Sequence, residues 1–153
     1  MLAKRRQFAE EFGILFERMG VQPMAGRIWA WLLTASPPHQ SAGAIAEALS
    51  CSRSSVSAMT EVLMQIGLVE RVAIPGERTR LYRVAPGGFS GALRMKMRIT
   101  SEIRRMAERG LELLEGEPPE VRRSLEEYRD CARFFEREFP ALVEKWDRER
   151  KAT

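Results

Sequence analysis

The stretch SAGAIAEALSCSRSSVSAMTEVLMQIGLV, residues 41–69, contains two amphipathic segments separated by a very short connection. Ser41 is a suitable N-cap for a helix over residues 42–49, and Ser52 is one for a longer helix over residues 53–66. A serine hydroxyl at such a position accepts a hydrogen bond from a free backbone N–H of the first turn. Apolar residues recur at helical spacing in both segments. The stretch therefore predicts two helices joined by a tight turn.

The apolar period changes from 3.6 to 2 after Gly67, which is a good residue to end the second helix. Residues 68–74 and 80–84 alternate in polarity, and the polar segment 75–79 separates them, so they predict a β-hairpin. Helix, tight turn, longer helix and hairpin in this order define the winged helix-turn-helix. We expect a mainly α-helical fold with a small β-hairpin wing.

Helical patterns flank this motif on both sides. Residues 4–19 carry one apolar stripe, and a second helix is predicted to begin near Met24. Beyond Pro86-Gly87-Gly88 the chain is helical and highly charged, with a helix over residues 89–115. We expect an N-terminal helix over residues 1–20, a winged helix-turn-helix domain over 21–86 and a helical dimerisation region over 87–153.

A further helix is predicted after residues 116–119 because apolar residues recur there in steps of four and three, the spacing of a coiled-coil seam. Pro140 is expected to end this helix and to leave a last amphipathic turn or two around Trp146. The seam carries several large apolar side chains. We therefore expect the terminal helical regions to pair with a second copy of the chain, and the protein to be a homodimer.

The second helix of the central pair is the candidate for reading nucleic acid. Val56 and Met59 are its expected core positions, which leaves hydroxyl side chains and one arginine facing outward. Such a helix lies in the major groove, where arginine contacts guanine and hydroxyls contact base edges or phosphates. The wing adds arginines that can reach the minor groove. The predicted DNA-binding residues are Ser41, Ser52, Arg53, Ser54, Ser55, Ser57, Thr60, Gly76, Arg78 and Arg80.

Three segments, GRIWAWLL (26–33), AEALSCSRSSVS (46–57) and GLVERVAIPGERTRLYRV (67–84), resemble the MarR-type transcriptional regulators, and within them the GbsR-like branch. The resemblance continues more weakly towards the C-terminus and covers most of the chain. It implies a homodimer with intertwined terminal helices that binds a near-palindromic, double-stranded operator. It also implies a repressor that small-molecule effectors release or modulate.

Two residues at the turn depart from the pattern of these regulators. Ser50 stands where a glycine is usual, and a left-handed backbone costs serine about 1 kcal/mol more than glycine. Cys51 stands where an aliphatic residue is common, which leaves a thiol redox sensor as an alternative to a small buried residue that fills the turn. Cys131 lies far away along the chain, and the spacing predicts no disulfide framework.

Aromatic residues raise a second alternative. Trp29, Trp31, Phe89 and Tyr128 could build a cage for a cationic effector, although aromatic residues at helical spacing more often belong to a core. The resemblance to GbsR-like proteins that sense choline-type ligands favours the cage. Periodicity favours the core.

The composition limits the remaining function classes. The chain is 44% hydrophobic and 30% charged with a net charge of +4, and 21 of its 25 basic residues are arginine. It has neither a membrane-spanning segment nor a secretory signal, so we expect a cytoplasmic protein. No catalytic set, phosphate-binding glycine loop or metal-ligand cluster is evident, so neither an enzyme nor a cofactor is expected. A winged-helix module that contacts DNA or protein without a small-molecule ligand remains the alternative function.

Overall fold

The computed structural model describes residues 1–76 and 79–152, and within them the chain forms six α-helices and three short strands. In chain order these are α1 (Leu2–Arg18), α2 (Pro23–Leu33), β1 (Gln40–Ser41), α3 (Ala42–Leu49), α4 (Arg53–Gln65), β2 (Val69–Val72), β3 (Leu81–Val84), α5 (Gly88–Leu113) and α6 (Pro119–Ala152). The chain divides into two compact units, Met1–Gly91 and the residues from Ala92 onward. Across the described ranges, no helix combines the length and hydropathy that crossing a membrane requires.

The helix-turn-helix forms as its serines predict. The Ser41 hydroxyl accepts a hydrogen bond from the backbone N–H of Ala44 at 3.1 Å, and the Ser52 hydroxyl accepts one from Ser55 at 3.1 Å. Between the two helices Ser50 adopts the left-handed conformation, with φ 52° and ψ 49°. Both predicted N-caps are therefore confirmed, and Ser50 adopts the left-handed backbone that glycine enters at lower cost.

The wing belongs to a three-stranded antiparallel sheet with the order β1-β3-β2. The predicted hairpin forms, with Val69 opposite Val84 and Val72 opposite Leu81. The prediction missed β1, in which Ser41 pairs with Leu81. A strand of two residues is too short to show an alternating pattern, so β1 depends on a partner strand far along the sequence.

A compact apolar core fills the first unit. Ile28, Ile45, Val56 and Leu63, from α2, α3 and α4, are completely buried. Helix α1 packs closely on α2 because Gly26 has no side chain, and a Cβ at this position would collide with backbone atoms of Phe12. Residues 1–20 therefore belong to the same unit as the winged helix-turn-helix. The predicted boundary after residue 20 separates two helices that pack together.

The second unit contains α6 and the part of α5 that begins at Ala92. Ion pairs connect the two helices: Arg104 contacts Glu136 at 2.8 Å, and Arg133 contacts Glu108 at 2.8 Å. Arg104 also pairs with Glu108 on its own helix at 2.6 Å. This region is held by charged contacts to an extent that the first unit is not.

The prediction that Pro140 ends a helix is wrong, because α6 continues through it to Ala152. A proline inside a helix removes one hydrogen bond and costs about 3 kcal/mol. Val143, one turn later, is buried and continues the packed stripe that Ala132 begins. Packing on both sides of the proline holds the helical path.

Candidate nucleic-acid interface

The N-terminal half of α4 presents a polar face to solvent. Ser52, Arg53, Ser54 and Ser57 are exposed and Ser55 is half-buried, whereas Val56 and Met59 lie in the core. The first turn of α4 contains no acidic residue. Because a helix start carries free N–H groups and a partial positive charge, this face favours an approaching phosphate.

Thr60 was predicted to contact DNA, and this prediction is wrong because the residue is not exposed. Its side chain is completely buried, and its hydroxyl donates a hydrogen bond to the carbonyl oxygen of Ser57 at 3.0 Å. A threonine in a helix can satisfy its hydroxyl on the preceding turn in this way while its methyl group packs inward. Thr60 therefore stabilises α4 from the core side and does not belong to the exposed face.

The predicted contact serines divide into those whose hydroxyl groups cap a helix and those whose hydroxyl groups do not. The Ser52 hydroxyl caps the helix through Ser55 and also lies 3.0 Å from the Ser54 hydroxyl. Ser41 is half-buried and caps α3 in the same manner. Ser54 and Ser57 project from the exposed face without a capping role, so they are the hydroxyls best placed to contact another molecule.

The wing carries two of the remaining predicted residues on its surface. Gly76 is exposed with φ 89°, a left-handed conformation that suits the turn, and Arg80 is exposed just before β3. Arg71 pairs with Glu61, and Arg83 pairs with Glu70 at 2.6 Å, so these two positive charges are compensated. Arg78, also predicted to contact DNA, lies outside the described residues.

Two arginines that the sequence did not single out hold the turn before α4. Arg6 of α1 donates to the carbonyl oxygen of Ala48 at 2.6 Å, and Arg27 of α2 donates to that of Leu49 at 3.0 Å. Arg27 also pairs with Glu10 at 2.5 Å. These carbonyls lie at the C-terminus of α3, where positive charge is favourable. No local pattern reveals such contacts, because the partners are 42 and 22 residues apart.

The HTH-type transcriptional regulator MmpR5 of Mycobacterium tuberculosis (strain ATCC 25618 / H37Rv) is 35% identical to this chain over 130 residues. The match covers 85% of this chain and 79% of MmpR5. The chain belongs to the MarR family of transcriptional regulators. Members of this family are regulators and not enzymes. The narrower resemblance to the GbsR-like branch stays a prediction.

One family model agrees with this membership, while a second model matches the helix-turn-helix and a solved structure shares the fold. The model of the MmpR5-like MarR family transcriptional regulator matches residues 87–149, and that of the IclR helix-turn-helix domain matches residues 31–73. The crystal structure of a transcriptional regulator superposes with a TM-score of 0.84 at 31% identity. The superposition covers 95% of this chain and 99% of that chain. The fold of this MarR-family chain is therefore shared over nearly its whole length.

Cys51 of this MarR-family chain lies at the helix-turn-helix turn and is half-buried. Burial raises the pKa of its thiol, and the positive charge of Arg27 opposes this rise only in part. A raised pKa lowers the fraction of reactive thiolate at neutral pH. Half-burial and a raised pKa are properties of a packing residue, and the redox alternative stays a prediction.

The four aromatic residues proposed as an effector cage lie in different surroundings. The Trp29 ring lies 5.5 Å from that of Phe12 in the α1–α2 contact, and Trp31 is buried. Phe89 and Tyr128 are exposed and lie in different units. Trp31 is therefore a core residue, and Trp29 is half-buried in the α1–α2 contact, so neither is free to form a cage with Phe89 and Tyr128 as the structure places them.

Proposed function

We propose that this MarR-family regulator binds a near-palindromic, double-stranded DNA operator as a homodimer, with α4 of each copy in the major groove. The observation that carries the proposal is the N-terminal face of α4, where Arg53, Ser54 and Ser57 are exposed and the first turn has no acidic residue. A face with these donors and without a repelling carboxylate suits contact with base edges and phosphates.

The expected roles of the contact residues differ. Arg53 can form a bidentate hydrogen bond with guanine, a contact that distinguishes bases by about 1–3 kcal/mol. Ser54 and Ser57 can reach base edges or phosphates at short range. Arg80 and Arg78 of the wing are proposed to contact the neighbouring minor groove or its phosphates, which adds affinity with little base preference.

The dimer is proposed from the exposed apolar side chains of α6. Val121, Tyr128, Phe135 and Leu142 are all at least 47% exposed and recur every seven residues, so they lie on one helix face. An apolar stripe of this length is unusual on the surface of a monomer. Pairing with the same stripe of a second copy covers it, and the resulting two-fold symmetry matches that of a palindromic operator.

Repression that a small-molecule effector releases or modulates completes the proposal, on the ground of the resemblance to MarR-type regulators. An effector that binds the free protein more tightly than the DNA complex must lower operator affinity and raise the melting temperature of the free protein. Screening metabolites for both effects tests this component. If none has either effect, the alternative of a winged-helix module without a ligand is favoured.

Selection of duplexes from a random-sequence library tests the DNA-binding proposal itself. We expect enrichment of an inverted repeat whose half-sites are separated by about one helical turn, 10–10.5 base pairs. Titration of the selected duplex should saturate at two chains per repeat. Enrichment of no sequence, or saturation at one chain on a non-repeated site, contradicts the proposal.

A further inference from the structure

Gly43, in the first turn of α3, occupies an unusual position beside the proposed DNA-reading arginine. A Cβ at Gly43 would meet three atoms of the Arg53 guanidinium group first: Nη2 at 3.2 Å, the central carbon at 3.4 Å and Nε at 3.4 Å. The guanidinium group of Arg53 therefore lies against the backbone of α3, over the place where every other residue type has a side chain.

The backbone of α3 gives no reason for glycine at this position. Gly43 lies within a regular helix, and its φ is not positive. Its neighbours Ala42 and Ala44 are alanines, the residue type with the highest helix propensity, whereas glycine is the least favourable apart from proline. On grounds of local stability, alanine is the better residue at position 43.

Charge does not explain the position of Arg53 either. Among the residues that the structure describes, no carboxylate pairs with its guanidinium group, although many of the other arginines have such a partner. The first turn of α3 carries a partial positive charge, which does not attract a cation. The position of Arg53 is therefore explained by shape, because its planar guanidinium group fits over Gly43, which has no side chain.

We propose that Gly43 is a positioning residue for DNA reading: its missing side chain forms a seat that holds the Arg53 guanidinium group ready for the major groove. This inference rests on the proposed function, because it assumes that Arg53 contacts DNA. A long side chain that is already confined loses less rotamer freedom on binding. The seat also leaves the N–H donors of Arg53 without a competing carboxylate among the described residues.

The seat predicts opposite effects on stability and on DNA binding. Gly43→Ala should raise the melting temperature by about 2–4 °C, since alanine favours a helix. The same change should weaken binding to a duplex selected by the wild-type protein about threefold, because the guanidinium group must shift by a few tenths of an ångström. Gly43→Leu fills the seat completely and should weaken binding about tenfold, the range expected when one long side chain loses its confinement.

The experiment measures the dissociation constant for the selected duplex and for a scrambled duplex, together with thermal melting, for five proteins besides the wild type. These are Gly43→Ala, Gly43→Leu, Arg53→Ala, the double variant Gly43→Leu/Arg53→Ala, and the control Gly91→Ala. Gly91 lies in the first turn of α5, and a Cβ there would have no atom within 4 Å, so its replacement should raise stability and leave binding unchanged.

The seat requires that Gly43→Leu has no further effect, within about twofold, once Arg53 is alanine. If Arg53→Ala weakens binding but both Gly43 variants bind like the wild type, the seat is overturned and the proposed function stands. If the Gly43→Leu loss persists in the double variant, Gly43 acts independently of Arg53 and the inference is also overturned. If Arg53→Ala itself binds like the wild type, the proposed function fails as well.

Discussion

The two units of this protein differ in how far their large apolar side chains are buried. In the first unit large side chains such as Ile28, Ile45 and Leu63 have no exposure at all. In the second unit the buried apolar residues among those described are Ala107, Leu111, Ala132 and Val143, two of which are alanines. Many of its larger apolar side chains are exposed, among them Met95, Ile99, Ile103, Met106, Leu113, Val121, Tyr128, Phe134, Phe135, Leu142 and Trp146.

The contrast shows where each unit obtains its stability. The first unit has a core that its own helices complete, so it can present α4 on a rigid support. The second unit joins α5 and α6 through ion pairs such as Arg104–Glu136, and pairs that solvent can reach contribute little individually. We infer that the second unit is completed by burying its apolar faces against another copy.

The largest expected effect comes from placing a charge in the middle of the exposed stripe of α6. Phe135→Glu should abolish the dimer, because pairing would bury an uncompensated carboxylate at the centre of an apolar contact. Sedimentation equilibrium should show a species of 17.5 kDa for the variant and twice that mass for the wild type. The control Arg123→Glu, on a different face of α6, should remain dimeric. A Phe135→Glu protein that is still dimeric would show that the exposed stripe of α6 is not the contact between the two copies.

The next effect tests the first unit. Gly26→Ala should lower the free energy of unfolding by about 1–3 kcal/mol, because the new methyl group has to push α1 away from α2. Denaturant unfolding of this variant beside Gly91→Ala measures it, since the second substitution meets open space. Equal stability of the two variants would show that the α1–α2 contact is loose, contrary to the structure.

The sequence predicted the first unit better than the second, for reasons that individual residues make clear. Ser41, Ser52 and the apolar residues at helical spacing act locally, and each produced the helix that it predicts. Pro140 also acts locally, but its effect is overcome by packing on both sides of it in α6. Strand β1 has no local pattern of its own and depends on its pairing with β3.

A smaller effect is expected at the turn between α3 and α4. Ser50→Gly should raise the free energy of unfolding by about 0.5–1 kcal/mol, because Ser50 occupies the left-handed region that glycine enters without strain. Ser57→Gly, in the regular helix α4, should instead lower it by about 0.5 kcal/mol. Denaturant unfolding of the two variants compares them. The same sign for both would mean that the left-handed turn is not strained.

The smallest expected effect is a loss of stability of the second unit at acidic pH. The Arg133 and Arg104 guanidinium groups hold the pKa of Glu108 below its ordinary value of 4.5, and the Ser101 hydroxyl and Arg104 do so for Glu136. A carboxyl whose pKa is lowered on folding contributes stability that is complete above its ordinary pKa and is lost as the pH falls through the lowered value. Acid below pH 4.5 should therefore weaken the second unit.

Hydrogen exchange of the amides of α5 and α6 at pH 7 and at pH 3 measures this loss. Glu108→Gln should reduce the difference between the two pH values, whereas Glu112→Gln, exposed on the same helix, should not. If protection of the second unit is as high at pH 3 as at pH 7, ion pairs do not hold it.

The sequence predicted most of the exposed residues of the candidate site, but it did not predict the tertiary contacts that hold the site in place. Residues that face away from Val56 and Met59 follow from helical periodicity, which placed Arg53, Ser54 and Ser57 on the exposed face. Periodicity is least accurate at the edge of a face, and the burial of Thr60 is an error of this kind. The contacts of Arg6 and Arg27 with the α3 terminus, and of Arg53 with Gly43, depend on tertiary packing.

DNA binding by Arg53→Ala tests most directly whether the first unit reads DNA through α4. Its affinity for a selected operator duplex and for a scrambled duplex should be measured at two salt concentrations, with melting recorded in parallel. The exposed Arg123 of α6 provides the control Arg123→Ala, which removes the same charge elsewhere. We predict that Arg53→Ala folds normally and loses about 1–3 kcal/mol of discrimination between the two duplexes, while Arg123→Ala keeps it. An Arg53→Ala protein that folds normally and distinguishes the duplexes as well as the wild type contradicts the account.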